Sequence, residues 1–161
     1  MKKLILILVG IFATFENVIA QDYVLESQGK RILVKEHIYS TKDSLKIFKL
    51  EGTFKDNAGN FGEYNSIVNV KTLNNVVESL EASNEFFYNK NTKAYNIAIR
   101  ANNELEHGVG KWYFTYASKN ISAIINSECL YSIRYYKDNF LTLAKCDIPK
   151  KAFKQIKNIK Q

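Results

Sequence analysis

Apolar and polar residues alternate with a period of two along most of the chain, which is the pattern of β-strands that bury one face. Clusters of Asn, Asp and Gly interrupt the alternation, most clearly in residues 55–60, and these residue types favour tight turns. Residues 45–55 and 61–72 are two such predicted strands, and Asn74-Asn75 marks the turn after them. Continued along the chain, the pattern predicts about eight antiparallel strands.

The first predicted strand follows a leading segment, residues 21–29, and carries the first candidate site residue. Ile32, Val34 and Ile38 alternate along one face of this strand. Glu36 lies on the same face, so an inward orientation would desolvate its carboxylate and require a basic partner. A position at the exposed rim is the alternative interpretation of Glu36.

Two later stretches are less regular. Residues 76–87 (VVESLEASNEFF) fit either a strand or a short helix, and the strands predicted on both sides favour a strand. Residues 93–101 alternate cleanly again, whereas residues 118–127 are irregular and allow one helical turn.

Strands that follow one another without intervening helices are typical of an antiparallel barrel or sandwich. Eight strands is the number at which a closed barrel is either filled by side chains or holds one small ligand. A transmembrane barrel is the rival, but it needs a uniformly apolar outer face, and Lys46, Lys49, Lys71 and Lys145 interrupt both faces of the predicted strands. The sequence therefore predicts an all-β fold, a soluble eight-stranded antiparallel barrel over residues 21–148.

The first twenty residues have the three-part layout of a secretory signal peptide. Two lysines precede an apolar run over residues 4–15, and short side chains precede a cleavage site after Ala20. An uncleaved anchor is the alternative, but the run is shorter than the roughly twenty residues that a membrane-spanning helix needs. We therefore expect a periplasmic or secreted protein that begins at Gln21.

The last predicted hairpin brings the two cysteines together. If its turn centres between Lys137 and Asp138, Cys129 lies directly opposite Cys146. Directly opposed residues have Cβ atoms about 4.5–5.5 Å apart, from which a small adjustment reaches bridging distance. Because an exported chain meets an oxidising compartment, we predict a Cys129–Cys146 disulfide rather than two buried free thiols.

A basic tail, residues 149–161, follows the last strand. Pro149 ends the strand region because it has no backbone N–H to donate. Phe153, Ile156 and Ile159 recur at every third residue, which allows a short helix. The lysines of this tail are a candidate for weak contact with an anionic surface, although such a tail is usually only solvated.

Composition limits the classes of function. The chain has 161 residues, 23 Lys+Arg against 16 Asp+Glu, a formal net charge of +7 and two Cys. The length fits one domain, and two cysteines exclude a disulfide-dense mini-protein. Positive charge admits a nucleic acid as partner, but export argues against it, so no nucleic-acid partner is expected.

Three segments of the chain resemble small secreted bacterial proteins whose fold is similar to the allene oxide cyclase and dirigent-type barrels. They are EGTFKDNAGNFGEY (51–64), GVGKWYF (108–114) and SECLYSIRYY (127–136). The chain departs from that pattern at residues 117–120, where Ala-Ser-Lys-Asn replaces a Gly-rich turn. The resemblance implies a lipocalin-like barrel and no particular reaction, and it transfers no pocket residue to this chain.

The sequence contains no Gly-x-Ser-x-Gly, phosphate-loop or His-Glu-x-x-His motif, so no catalytic residue is assigned. His37 and His107 are the only histidines, and with both cysteines in a disulfide the sequence predicts no metal site and no cofactor. Candidate ligand-binding residues are instead polar or aromatic positions on strand faces. They are Glu36, Trp112, Phe114, Tyr116 and Arg134.

The three aromatic residues, Trp112, Phe114 and Tyr116, are expected on one strand face, where they either line a pocket or form the core. Arg134 is a candidate partner for Glu36 or an anchor for an anionic ligand head, and a rim or surface side chain is the alternative interpretation. The leading hypothesis is an exported, non-catalytic barrel that binds a small apolar or amphipathic ligand. An isomerase- or cyclase-type enzyme with an interior pocket and a structural or adhesive envelope protein are the alternatives. The sequence leaves the oligomeric state open.

Overall fold

The protein, described by a computed structural model for residues 20–101 and 104–160, is one closed barrel of eight antiparallel strands. The strands are β1 (Ala20–Ile38), β2 (Ser44–Asp56), β3 (Phe61–Leu73), β4 (Val76–Asn89), β5 (Thr92–Arg100), β6 (His107–Ala117), β7 (Glu128–Tyr136) and β8 (Asn139–Pro149). Each strand pairs with its neighbours in the chain, and β1 pairs with β8 to close the barrel. The predicted all-β fold, its strand count and the strand over residues 76–87 are confirmed. The predicted signal peptide, apart from Ala20, lies outside the described residues.

The leading segment predicted for residues 21–29 is wrong, because these residues belong to β1. They pair with β8 from Gln21, opposite Ile148, to Gly29, opposite Phe140. Tyr23, Leu25 and Ser27 alternate into the barrel and are buried. The segment therefore supplies half of the seam that closes the sheet.

Two short helices complete the fold. A 3₁₀ helix, Lys119–Ile124, links β6 to β7, where one helical turn was expected. The α-helix α1 (Lys150–Lys157) follows Pro149 and confirms the short helix in the tail. Among the described helices, none has the length and apolar character needed to cross a membrane.

The helix α1 covers one end of the barrel, which we call the helix end. Ala152 and Ile156 are completely buried, and Phe153 packs edge-to-face against Tyr23 with ring centroids 6.4 Å apart. The segment expected to be a basic tail is thus part of the barrel body, with its lysines on the outside.

Buried and half-buried hydrogen bonds stabilise the helix end. The Tyr23 hydroxyl donates to Oδ2 of Asp56 at 2.8 Å and lies 2.7 Å from the Tyr88 hydroxyl. Asp56 also accepts from the backbone N–H of Asn60 at 2.8 Å, and Nδ2 of Asn60 donates to the carbonyl of Ile156 at 3.2 Å. Burial raises the pKa of Tyr23 and of Tyr88 above the ordinary tyrosine value, so both hydroxyls stay protonated at neutral pH.

Aromatic side chains fill the middle of the barrel. Phe86 contacts Phe54, Tyr64 and Trp112 with ring centroids 5.1–5.7 Å apart, and Trp112 stacks on Tyr131 at 5.3 Å. Offset and edge-to-face pairs at these distances stabilise a core beyond the area that they bury.

The cysteine hairpin has the predicted register. Cys129 lies opposite Cys146, and the pairs Tyr131–Ala144, Ile133–Thr142 and Tyr135–Phe140 follow in order. The two sulfurs are bonded, and both cysteines are buried. The predicted disulfide is therefore confirmed.

Strand β1 extends beyond its pairing with β8 at the end of the barrel opposite α1. β1 pairs with β8 only as far as Lys30, but it pairs with β2 as far as Ile38. We call residues 32–38 the β1 extension and this end of the barrel the extension end. A glycine pair, Gly29 opposite Gly52, lies just before the extension. A Cβ atom on either glycine would overlap a carbonyl oxygen of the other strand, so only glycine permits this close approach.

Candidate binding surface

The lumen of the barrel is filled by side chains. Its cavity has a volume of about 20 Å³ and is lined by residues that include Tyr64, Asn84, Trp112, Tyr131 and Thr142. A space of this size holds one water molecule and no organic ligand.

A short series of hydrogen-bonded polar side chains crosses this filled interior. The Tyr64 hydroxyl donates to Oδ1 of Asn84 at 2.7 Å, and Nδ2 of Asn84 donates to Oδ1 of Asn96 at 2.6 Å. All three residues are at most 2 % exposed, and burial raises the pKa of Tyr64. These hydrogen bonds join β3, β4 and β5 through the core, which is a structural role.

The three aromatic candidates do not lie on one face of β6. Trp112 and Phe114 are buried in the core, where both contact Phe86. Tyr116 is 54 % exposed on the outer wall, so the prediction that it shares their face is wrong. A β-bulge between Phe114 and Tyr116 inserts one extra residue, Thr115, and the extra residue reverses the direction of the next side chain.

The two charged candidates also lie apart. Nζ of Lys46, on β2, is 3.0 Å from Oε1 of Glu36, so the partner of Glu36 is Lys46 and not Arg134. Arg134 is exposed on the outer wall, where it lies opposite His107 on β6 and Leu141 on β8. Inward positions on β7 belong to its odd-numbered residues, which explains why Arg134 faces outward.

The histidines do not meet. His37 is exposed on the β1 extension, and His107 is exposed on β6 with Nε2 3.4 Å from a carboxylate oxygen of Glu104. Over residues 20–101 and 104–160, no three His, Cys, Asp or Glu side chains come together in a way that could hold a metal ion. The site residues predicted from sequence therefore form no common site.

The β1 extension is the most unusual surface of the described molecule. Beyond Lys30, β8 no longer pairs with β1, so none of the described strands lies beside one edge of the extension. Apolar side chains are nevertheless concentrated there, including Leu33 at 51 % exposure and Ile38 at 70 %. The other apolar residues of the extension are Ile32 and Val34, and Tyr39 follows directly after it; all three are exposed.

A cation anchors the base of the extension. The guanidinium of Arg31 lies over the rings of Tyr135 and Phe48, with centroid distances of 4.3 and 5.2 Å. Nη1 of Arg31 is 3.1 Å from Oε1 of Glu106, and Nη2 donates to the carbonyl of Lys137 at 3.1 Å. These contacts hold Arg31, the residue directly before the β1 extension, in a fixed position.

A second arginine at this end is buried. Arg100, the last residue of β5, is 4 % exposed and donates from Nη2 to the carbonyl of Leu105 at 3.3 Å. Its inward neighbours on β5 are the small or polar residues Ala94, Asn96 and Ala98. The alternation of Tyr95, Ile97 and Ile99 marked the opposite face as apolar, which is why sequence patterns did not reveal Arg100.

Comparisons with known proteins identify no relative: no family model, no curated protein and no solved structure matches the chain. The resemblance to the allene oxide cyclase and dirigent-type barrels stays a prediction.

Proposed function

We propose that this protein is an exported, non-catalytic binding module that captures an extended segment of a partner protein by adding it as a strand to the β1 extension. The observation that carries the proposal is a strand edge that pairs with no described strand and is lined by exposed apolar side chains. Export is supported by the signal-like leader and agrees with the disulfide. The water-sized lumen favours this outward-acting role over a small ligand or a reaction held inside the barrel.

The backbone supplies the attraction. An unpaired strand edge presents N–H and C=O groups at regular spacing and is a template for another strand. Domains that add a peptide strand in this way gain affinity from the main chain and specificity from alternate side chains. The β1 extension is seven residues long, and after the bulge at Val34 its residues 35–38 run in regular register with β2, which suits such pairing.

The side chains of the extension define the partner as apolar. Exposed apolar residues scattered singly need no explanation, but a contiguous patch marks an interaction site. Here Leu33, Val34 and Ile38 lie along one free edge of the sheet. Valine or isoleucine at alternate positions of the partner strand would cover them.

The positive charge around the β1 extension favours an acidic partner. Residues 30–43 contain four basic and two acidic side chains, of which Arg31 is paired with Glu106 and Glu36 with Lys46. Lys30, Lys35 and Lys42 are exposed around the extension. Two copies of this positive edge would repel each other, so charge favours a different, acidic chain over a second copy of this one.

A peptide tests the proposal. A capped, fluorescein-labelled peptide in which valine alternates with glutamate should bind the protein in a fluorescence anisotropy titration. The same peptide with alternate amides N-methylated keeps its side chains but loses the hydrogen bonds that form the ladder. We expect this second peptide to bind at least roughly tenfold more weakly, since two or more main-chain hydrogen bonds are lost.

Protein variants locate the site. Val34→Ser combined with Ile38→Ser should weaken the peptide roughly tenfold, because apolar area is no longer buried. Leu130→Ser removes an equally exposed leucine from β7 and should leave the affinity unchanged. Lys35→Glu should weaken the glutamate peptide and strengthen one with lysine in place of glutamate. Equal binding of the N-methylated peptide, or an unchanged affinity of the double variant, would overturn the proposal.

A further inference from the structure

We propose that Arg100 forms an oxyanion site at the extension end, which binds the carboxylate or phosphate group of a small ligand. The site is separate from the strand-addition surface. Its basis is the hydrogen bonding of Arg100: among the described residues, only Nη2 has a partner, the Leu105 carbonyl. Nε and Nη1 have no hydrogen-bond partner among the residues that the structure describes. Three N–H donors of a permanently charged group are thus buried and unsatisfied.

The charge of Arg100 is not balanced nearby. Its side chain forms no ion pair with a described residue, and residues 101–103 contain no acidic side chain. Glu106, in the segment that follows, pairs with Arg31. Burying a charge without a counter-charge is strongly unfavourable, so an anion that pairs with Arg100 would stabilise the folded protein.

The guanidinium of Arg100 lies close to Gly108 and to the rings of Tyr131 and Tyr135. Gly108, on β6, lies against it, and a Cβ atom at residue 108 would overlap Nη1. The rings of Tyr131 and Tyr135 are close enough for the arginine charge to oppose the rise that burial causes in the pKa of each hydroxyl. Tyr135 is influenced by Arg31 and by the carboxylate of Glu106 as well.

A groove leads past the site. Arg100 contributes to the wall of an outer groove of about 690 Å³, together with Leu80 and Gly110. Two lysines, Lys71 and Lys111, and one acid, Glu81, also line this groove. Carboxylate and phosphate groups present several oxygens in one plane or fork, which is the geometry that a guanidinium matches.

Thermal unfolding tests the proposal with acetate and inorganic phosphate as separate probes, each titrated at constant ionic strength. We expect the Tm to rise with anion concentration, by roughly 5–10 °C at a hundred times the Kd. The larger rise of the two identifies the preferred oxyanion. In Arg100→Met the rise should disappear, and without added anion this variant should be at least as stable as the wild type, because it buries no unpaired charge.

Arg134→Met is the matched control, since Arg134 is an exposed arginine of the outer wall. It should keep the full anion response. An equal rise in Arg100→Met and wild type would mean an adventitious ion only, and no rise in the wild type would also overturn the proposal. A measurement on the wild type alone avoids dependence on folding of the variant: the Nε–H resonance of Arg100 should shift on addition of the anion, and a constant resonance would contradict the site.

Discussion

At the scale of single residues, the hydroxyls of buried tyrosines form hydrogen bonds that link several strands, and their sequence positions do not reveal this. Tyr23 and Tyr88 share a hydrogen bond and, through Asp56, link β1, β2 and β4 at the helix end. Tyr64 begins the polar chain through the core. An alternating pattern shows that such residues are apolar enough to be buried, but it does not show what their hydroxyls contact.

Replacing Tyr23 by phenylalanine tests the hydroxyl network. The change leaves Asp56 and the Tyr88 hydroxyl each without one partner, so we expect a loss of about 1–3 kcal/mol in the free energy of unfolding. Tyr116→Phe removes an exposed hydroxyl and should change stability by less than about 0.5 kcal/mol. Urea unfolding of both variants measures the difference, and equal stabilities would argue against the network.

Alkaline pH tests the burial of the tyrosines. Burial raises the pKa of five of them above the ordinary value of 10.0, in the case of Tyr135 to about 12. The others are Tyr23, Tyr64, Tyr88 and Tyr131. Each raised pKa contributes stability that is present in full below pH 10 and is lost as the pH rises from 10 towards the folded-state pKa, at about 1.4 kcal/mol per pH unit.

Absorbance at 295 nm follows tyrosine ionisation directly. The five buried tyrosines should ionise above pH 10, together with cooperative unfolding. Ionisation of these five near pH 10, with the fold retained, would contradict the burial.

At the scale of elements, the sequence predicts strands and turns well and bulges poorly. The β7–β8 register follows from a turn and two cysteines, and both signals lie in the sequence. The bulge at Thr115 has no such signal, because either Tyr116 or Ala117 can continue the alternation after Phe114. The bulge in β1 has no sequence signal either, because the alternation is lost in three successive apolar residues, Ile32, Leu33 and Val34.

Removal of the disulfide tests the hairpin. The cysteines are 17 residues apart, and closing a loop of this length stabilises a protein by about 3 kcal/mol in the chain-entropy model. Cys129→Ala combined with Cys146→Ala should lose about this amount in urea unfolding, and reduction of the wild type should lose a similar amount. Two reactive thiols in the unfolded, unreduced wild type would refute the bridge.

At the scale of the whole molecule, the lumen is filled and the two ends differ. Large aromatic side chains from β3, β4 and β6 occupy the centre, which leaves room only for small or polar side chains on the inner face of β5. Such a constraint arises from packing across the barrel, and it cannot be inferred from one strand at a time. The helix end is closed by α1, and the extension end carries the charged and apolar surfaces.

Truncation of Ile156 tests whether α1 belongs to the barrel body. Ile156 is completely buried, so Ile156→Ala should destabilise the whole barrel by about 2–5 kcal/mol in a single cooperative transition. Lys157→Ala, on the exposed side of α1, should have almost no effect. A separate early transition, with the barrel transition unchanged, would show instead that α1 is only an appended tail.

Hydrogen–deuterium exchange with the valine–glutamate peptide tests most directly whether the protein acts through its outer edge at the β1 extension. The free protein should exchange rapidly at the backbone amides of residues 32–38 that face the unpaired edge. Addition of the peptide should slow exchange there and leave the amides of β4 to β7 unchanged. Protection that falls on those strands, or no protection at residues 32–38 when the peptide is bound, would contradict the account.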